Sequence, residues 1–343
     1  MARRVLVVGG GPAGMEAAWR LRCWGFEVLL VEKEKELGGR VKHLSLLFPS
    51  LEGAERFLEE KKAQVTEAGV TVYTETELAA VEENSSGIRA RLALRSGGEE
   101  EIEADALLLA VGLDYFDLRA YGEYGYGLYP GVIASWELEQ YLRNGQVVSL
   151  VGQKEKPVIA FIQCVGSRDR AKGQSYCSRI CCMYTGKQAA QMRELFPEAR
   201  IYVFYMDVRA AGRGYEEFIR YVIEEKDVNY IRSRPSRVFS YRDRLWLRFE
   251  DTLMGTPGEM DVDLVVLAGA LVPRAEIVEI ARKIGLAVDE DGFLIAAEKA
   301  YPLKAGERVF FAGACGFPVS AEEAVLQGAA AAAEVAVALG ENC

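Results

Sequence analysis

The run Val5-Leu6-Val7-Val8-Gly9-Gly10-Gly11-Pro12-Ala13-Gly14 decides the fold. Four β-favouring residues end at Gly9-x-Gly11-x-x-Gly14, and an apolar helical pattern through Ala17, Ala18 and Leu21 follows. Phe26 to Val31 then read as a second strand closed by Glu32. In such a strand–loop–helix–strand unit the first glycine permits a tight turn. The second lets backbone approach a pyrophosphate, and the third lets helix and strand pack closely. The helix N-terminus offers N–H groups to the diphosphate, and Glu32 can accept from ribose hydroxyls. The unit reads as a dinucleotide-binding βαβ, and the fold class as α/β.

Composition narrows the rest. The chain has 343 residues, half of them apolar, which suits two folded domains. Its net charge of −10 argues against nucleic acid as the main partner. A single histidine, His43, leaves little room for a His-rich metal site or a Ser-His-Asp triad. Met1-Ala2-Arg3-Arg4 leads directly into the first strand without a signal-peptide pattern. The apolar stretch 329–339 is short and carries Glu334, so membrane insertion is not expected. The expectation is a cytoplasmic enzyme or enzyme subunit.

Strand and helix signals go on alternating. A helix is expected over 51–68, and strands over 70–73, 88–94 and 106–111. From Tyr115 the composition shifts to Tyr121, Tyr124, Tyr126 and Tyr129 interleaved with glycines, which reads as a linker into a second unit. There a strand is expected over 158–162 and a helix over 181–195, followed by strand 201–205, helix 215–224 and strand 228–231. A hairpin-like stretch 238–249, strands 262–267 and 309–312 and a helix 320–339 complete the chain. The expected domains are 1–118 with 255–343 for the dinucleotide, and 119–254 for a second Rossmann-like unit.

Later loops favour FAD over a nicotinamide in the first unit. Leu37-Gly38-Gly39-Arg40 resembles the loop that two-domain flavoproteins lay along FAD. Leu107 to Gly112 and Val309-Phe310-Phe311-Ala312-Gly313 resemble their later strand motifs. Ala314 stands where those proteins carry an acid, so a ribityl contact there would have to come from backbone or another residue. The cofactor-binding residues expected are Gly9, Gly11, Pro12, Ala13, Gly14, Glu32, Lys33, Gly39, Arg40, Val111, Gly112, Gly313 and Ala314.

The second unit lacks a glycine loop after its first strand. It reads Gln163-Cys164-Val165-Gly166-Ser167-Arg168-Asp169 and then Tyr176-Cys177-Ser178-Arg179-Ile180-Cys181-Cys182. Four cysteines within nineteen residues suggest ligation or redox work. Four thiolates can hold a four-iron cluster, whose negative charge calls for cations or N–H donors. Arg168, Arg179 and Lys187 are close in sequence, and a helix starting at Cys181 would add its positive end. Zinc is a competing reading, although vicinal cysteines and a long gap fit its usual paired clips poorly. A redox disulfide, Cys181 with Cys182 or Cys177 with Cys181, is another. Cys23 reads as core packing, Cys343 as incidental, and Cys315 as a candidate neighbour of the flavin.

These stretches, with Lys187-Gln188-Ala189, Tyr124-Gly125-Tyr126-Gly127-Leu128-Tyr129-Pro130, Gly38-Gly39-Arg40 and Phe48-Pro49, resemble the heterodisulfide reductase A family nearly end to end. The resemblance implies a thioredoxin-reductase-like flavoprotein with FAD and one 4Fe-4S cluster on Cys164, Cys177, Cys181 and Cys182. It implies Lys187 beside the flavin as the residue acting on its chemistry. It also implies a homodimer docked to other heterodisulfide-reductase-like subunits. No C-x2-C-x2-C-x3-C run is present, which resembles the short form of sulfur-oxidising systems. The function expected is electron transfer in sulfur or thiol–disulfide metabolism. The alternatives are a self-contained NAD(P)H-dependent disulfide reductase using Cys181 and Cys182, and a non-catalytic scaffold.

Overall fold

The structure is a computed structural model and describes residues 3–84, 87–298 and 302–340. Cys343 lies outside them. The chain divides into two compact units, residues 1–42, 55–114 and 273–343 in one, and 43–54 with 115–272 in the other.

The first unit is built on a five-stranded parallel sheet ordered Val309–Phe311, Ala106–Leu109, Arg4–Val8, Glu27–Val31, Thr71–Tyr73. Its central strands are buried along nearly their whole length, because helices Pro12–Cys23 and Ala321–Ala338 pack against the sheet and a second, antiparallel sheet shares a core with its other face. Helix Pro12–Cys23 packs against helix Ala321–Ala338, and the approach is close enough that a Cβ on Gly328 would lie 2.2 Å from the Ala13 carbonyl oxygen. Ser320 and Glu323 cap the second helix reciprocally. Strands Thr76–Asn84, Gly87–Leu94 and Glu99–Ala104 form a separate antiparallel sheet, one face buried and one wet. Of these three, only the alternating middle strand is expected from sequence.

The second unit repeats the plan. Its parallel sheet runs Asn229–Arg232, Arg200–Tyr205, Val158–Val165, Leu264–Gly269, Val132–Ala134. Helices Cys181–Leu195 and Tyr215–Glu224 keep their expected bounds. An antiparallel meander follows, Arg237–Tyr241, Arg244–Asp251 and Thr256–Val262.

The expected domain limits differ from this division. Residues 255–272 lie in the second unit, because Thr256–Val262 completes the meander and Leu264–Gly269 pairs with Val158–Val165. The tyrosine-rich segment is no loose linker either. Tyr121 and Tyr124 are buried, and the Tyr124 hydroxyl donates to the Pro235 carbonyl at 3.0 Å. Cys23 is exposed at the last position of its helix, where the chain turns away, so it is not a core residue. The expected helix over 51–68 begins only at Ala54. Among the described residues no helix is long and apolar enough to cross a membrane.

Candidate functional site

The glycine loop closes the carboxyl end of strand Arg4–Val8. Gly9 has φ +109°, and a Cβ there would lie 2.3 Å from the Ala110 carbonyl oxygen. Gly14 faces Gly9 itself, so a Cβ would meet the Gly9 oxygen at 1.8 Å. Both positions exclude any side chain for reasons internal to the fold. Gly11 differs: a Cβ there would meet nothing nearer than Gly39 Cα at 4.0 Å, and its backbone is ordinary extended chain. The fold itself therefore does not require glycine at Gly11. Gly11 also caps helix Pro12–Cys23 without any side-chain bond, and N–H groups at such a helix end can receive an anion.

Other expected residues gather at this end of the unit. The Glu32 carboxylate is buried and accepts from Gly10 N at 2.8 Å and Glu34 N at 2.8 Å, so it also ties the loop to its own strand. Gly38 N donates to Gly10 O at 2.8 Å, which brings the Gly39-Arg40 turn over the loop. Arg40 donates to the Leu113 carbonyl at 2.8 Å. Gly313 has φ +77°, and a Cβ on it would lie 2.9 Å from Ala13 Cβ. Its N–H donates to the Gln327 side chain at 2.8 Å. Gln327 was missed from sequence, since nothing in its helix marks it as the support of a glycine turn far back along the chain. Lys33 and Ala314 are half-buried, and the Val111 carbonyl accepts from Arg274 at 3.3 Å. Cys315 is buried with its thiol directed at the carbonyls of Ala312 and Leu109, at 3.2 and 3.4 Å, and burial pushes that thiol up to about 12.

In the second unit the cysteine segment grows from the carboxyl end of strand Val158–Val165, next to Leu264–Gly269. The ladder slips between Ile162 and Val165, and Cys164 takes φ +59°. Normal alternation is lost there, so both Gln163 and Cys164 reach the start of helix Cys181–Leu195. The loop after it doubles back. Gln174 N donates to Gly166 O at 2.7 Å and Arg168 N to Tyr176 O at 2.9 Å, while Gly173 lies too close to Gly166 to carry a side chain. The buried hydroxyls of Ser167 and Ser178 meet at 2.6 Å, and Ser178 accepts from Leu271 N at 2.9 Å.

This geometry gathers Cys164, Cys181 and Cys182 with Ala268 in one buried cluster, covered by Tyr184, Met206 and Val208. Cys181 shares side-chain hydrogen bonds with Cys164 and with Cys182, and these, with burial, push its own thiol well up. Its bond brings the Cys182 thiol down to about 7 and lowers that of Cys164 as well. Arg209 N donates to Cys182 at 3.4 Å, and Arg179 N to Cys177 at 3.3 Å. Cys177 is half-buried. The Arg168 guanidinium, paired with Asp207, contributes positive charge at Cys164 and Cys177. The six described cysteines are all free thiols. Among the described residues no group of three or more His, Cys, Asp or Glu side chains is placed so that it could hold a metal ion.

Lys187 does not serve as a cation for the cysteines. It is buried, paired at 2.7 Å with Glu139 and donating to the Leu46 carbonyl at 2.8 Å. Gln188 donates to the same carboxylate at 2.7 Å, and Ser45 donates to its other oxygen at 3.0 Å. Glu139 was missed because it sits among ordinary helix residues, and only the fold carries it to Lys187.

Residues 3–159 match the family model for pyridine nucleotide-disulphide oxidoreductases. Over 98% of its length the chain is 34% identical to the iron-sulfur A component of a CoB–CoM heterodisulfide reductase from Methanopyrus kandleri, and covers 64% of that protein. It is 31% identical, with the same coverage, to the corresponding protein of Methanocaldococcus jannaschii. The chain thus spans just under two thirds of the curated relatives it matches. In fold it is similar to thioredoxin reductase of T. acidophilum, with TM-score 0.69 and 17% identity over 97% of this chain and 98% of that one. The chain is a two-unit α/β protein of thioredoxin-reductase-like fold, with heterodisulfide reductase A proteins as homologues over nearly its whole length.

Proposed function

We propose that this chain is an electron-transferring oxidoreductase subunit that binds FAD in its first unit and a 4Fe-4S cluster in its second, within a heterodisulfide-reductase-like complex of sulfur or thiol–disulfide metabolism. The observation carrying this reading is the seat of the cysteine segment. It fills the carboxyl ends of the central strands, where the second unit's strand order reverses. In open α/β sheets ligands bind at such a switch point, and a nicotinamide would need a glycine loop there.

The residues present fit both groups. Gly11 leaves room and an uncapped helix end for a diphosphate, with Glu32 alongside. Around the cysteines lie Arg168, two backbone N–H groups directed at sulfur, and the buried Gln163 amide nitrogen without a partner. That surround suits an anionic sulfide cluster, in which each iron takes one thiolate rather than one ion taking several. FAD supplies two-electron exchange when bound, and the cluster one-electron exchange. The chain's own residues orient the dinucleotide through the glycine loop, and exclude water from Cys164, Cys181 and Cys182. Lys187 keeps the role at the flavin that the sequence resemblance implies, with Glu139 compensating its charge. Docking to other subunits, and a homodimer, belong to the same proposal.

The rival disulfide reductase would place Cys181 and Cys182 in a dithiol cycle fed by NAD(P)H. Anaerobic stopped-flow mixing of the flavin-loaded chain with NADH and with NADPH tests the choice. Flavin left oxidised by both, and reduced by a low-potential one-electron donor, is the expected result. Rapid bleaching by either nucleotide in a chain lacking iron would favour the rival.

A further inference from the structure

The Gln163 side chain is 5% exposed and lies where the Cys182 thiol donates to its Oε1 at 3.6 Å. Its other terminal atom, Nε2, is buried with no hydrogen-bond partner. An orphaned buried amide donor is uncommon and costs about 1–3 kcal/mol. The two ends of a glutamine amide have nearly the same shape, so they exchange places by rotation about the last bond. With a thiol at Cys182 the oxygen faces sulfur and the nitrogen is stranded. A sulfur that ligates iron carries no proton and only accepts, so beside it the favourable orientation is the reverse, NH₂ on sulfur.

We infer that Gln163 is a potential-setting residue, whose side-chain amide donates to the Cys182 sulfur when that sulfur is a cluster ligand. The inference rests on the cluster reading above. The local backbone serves this contact: the slipped register and left-handed Cys164 let adjacent residues 163 and 164 both reach the cysteine cluster, which a regular strand forbids. Cys182 then receives two N–H donors, the Gln163 amide and the Arg209 backbone at 3.4 Å. Donors to cluster sulfurs stabilise the reduced, more negative state, so each raises the reduction potential.

The test uses the full chain, purified without oxygen. Gln163→Leu removes both amide atoms, and Gln163→Glu keeps the shape while replacing the donor by an acceptor. Potentials are read by EPR-monitored redox titration, alongside iron and sulfide content. The expected result is a cluster at wild-type iron content whose potential moves more negative in Gln163→Leu and further in Gln163→Glu. Gln163→His, which retains a ring N–H, recovers part of the shift. Equal potentials in the wild type and in either iron-loaded variant overturn the inference. Should one variant not assemble, the other decides it. A wild-type chain without iron defeats the underlying cluster reading instead, and that result precedes any substitution.

Discussion

The Lys187 ammonium lies 2.7 Å from the Glu139 carboxylate, with the two side chains 1% and 3% exposed. Burial pushes the Lys187 pKa down, and Glu139 opposes that shift. A pair this dry depends on both members, because desolvation of each charge is offset mainly by the other. Glu139 does more than balance charge, since it also accepts from Gln188 and Ser45.

Removing one charge strands the other. Glu139→Ala is expected to destabilise the protein by about 3–5 kcal/mol, whereas replacing both residues by methionine costs far less. Guanidinium unfolding of the two variants checks this. Equal losses would mean that the ion pair does not organise the region.

The glycine loop separates binding from folding. Gly14→Ala forces a Cβ into the Gly9 carbonyl and should cost stability, about 1–3 kcal/mol or more. Gly11→Ala meets only open space and should leave thermal unfolding of the flavin-free chain within about 0.5 kcal/mol of wild type. Its flavin affinity should fall at least about tenfold, a loss of about 1.4 kcal/mol. Flavin titration followed by fluorescence measures the second effect. Unchanged affinity in Gly11→Ala would place the diphosphate elsewhere.

The cysteine loop is clamped at its far side. Asp169 accepts from the Tyr121 hydroxyl at 2.6 Å and from Arg234 at 2.5 Å, and these bonds, the tyrosine's first, hold its carboxyl well below the usual range. A depressed carboxyl contributes its full stabilisation above its ordinary pKa and loses it only as pH falls through the depressed value. A Tyr121→Phe, Asp169→Asn double-mutant cycle should give a coupling of about 1.5–3 kcal/mol. The coupling should be the same at about pH 8 and pH 5, both above the ordinary carboxylate value. Coupling that fades by pH 5 would contradict the clamp.

Two cysteines outside the cluster should react oppositely. With its pKa near 12, Cys315 has about one thiol in ten thousand ionised at about pH 8, and the thiolate is the reactive form. Cys23 is exposed. Iodoacetamide on the native protein, followed by peptide mass spectrometry, should label Cys23 and spare Cys315. Labelling of Cys315 without unfolding would show that its pocket opens.

What could be read from the sequence was what local chemistry determines. The glycine spacing between Val8 and Met15 marked the nucleotide loop, and helices Cys181–Leu195 and Tyr215–Glu224 carry their limits in local pattern. What escaped depends on distant pairing. Thr76–Asn84 and Glu99–Ala104 are rich in glutamate and become strands only against Gly87–Leu94. Residues 255–272 looked continuous with the dinucleotide unit until their ladders placed them in the second. The cysteine segment was legible as chemistry, but the slipped register that turns Gln163 toward Cys182 was not, because it arises from the strand's pairing with Leu264–Gly269.

The proposed function requires that Cys164, Cys177, Cys181 and Cys182 together hold an iron–sulfur cluster in a chain that also binds FAD. Iron, acid-labile sulfide and flavin counted per chain on oxygen-free protein, with Mössbauer spectra, test it most directly. The expected result is about four irons and four sulfides beside one flavin, and loss of the iron with retention of flavin in Cys164→Ser. A fully flavin-loaded wild-type chain without iron, or a Cys164→Ser variant with its iron intact, would contradict it.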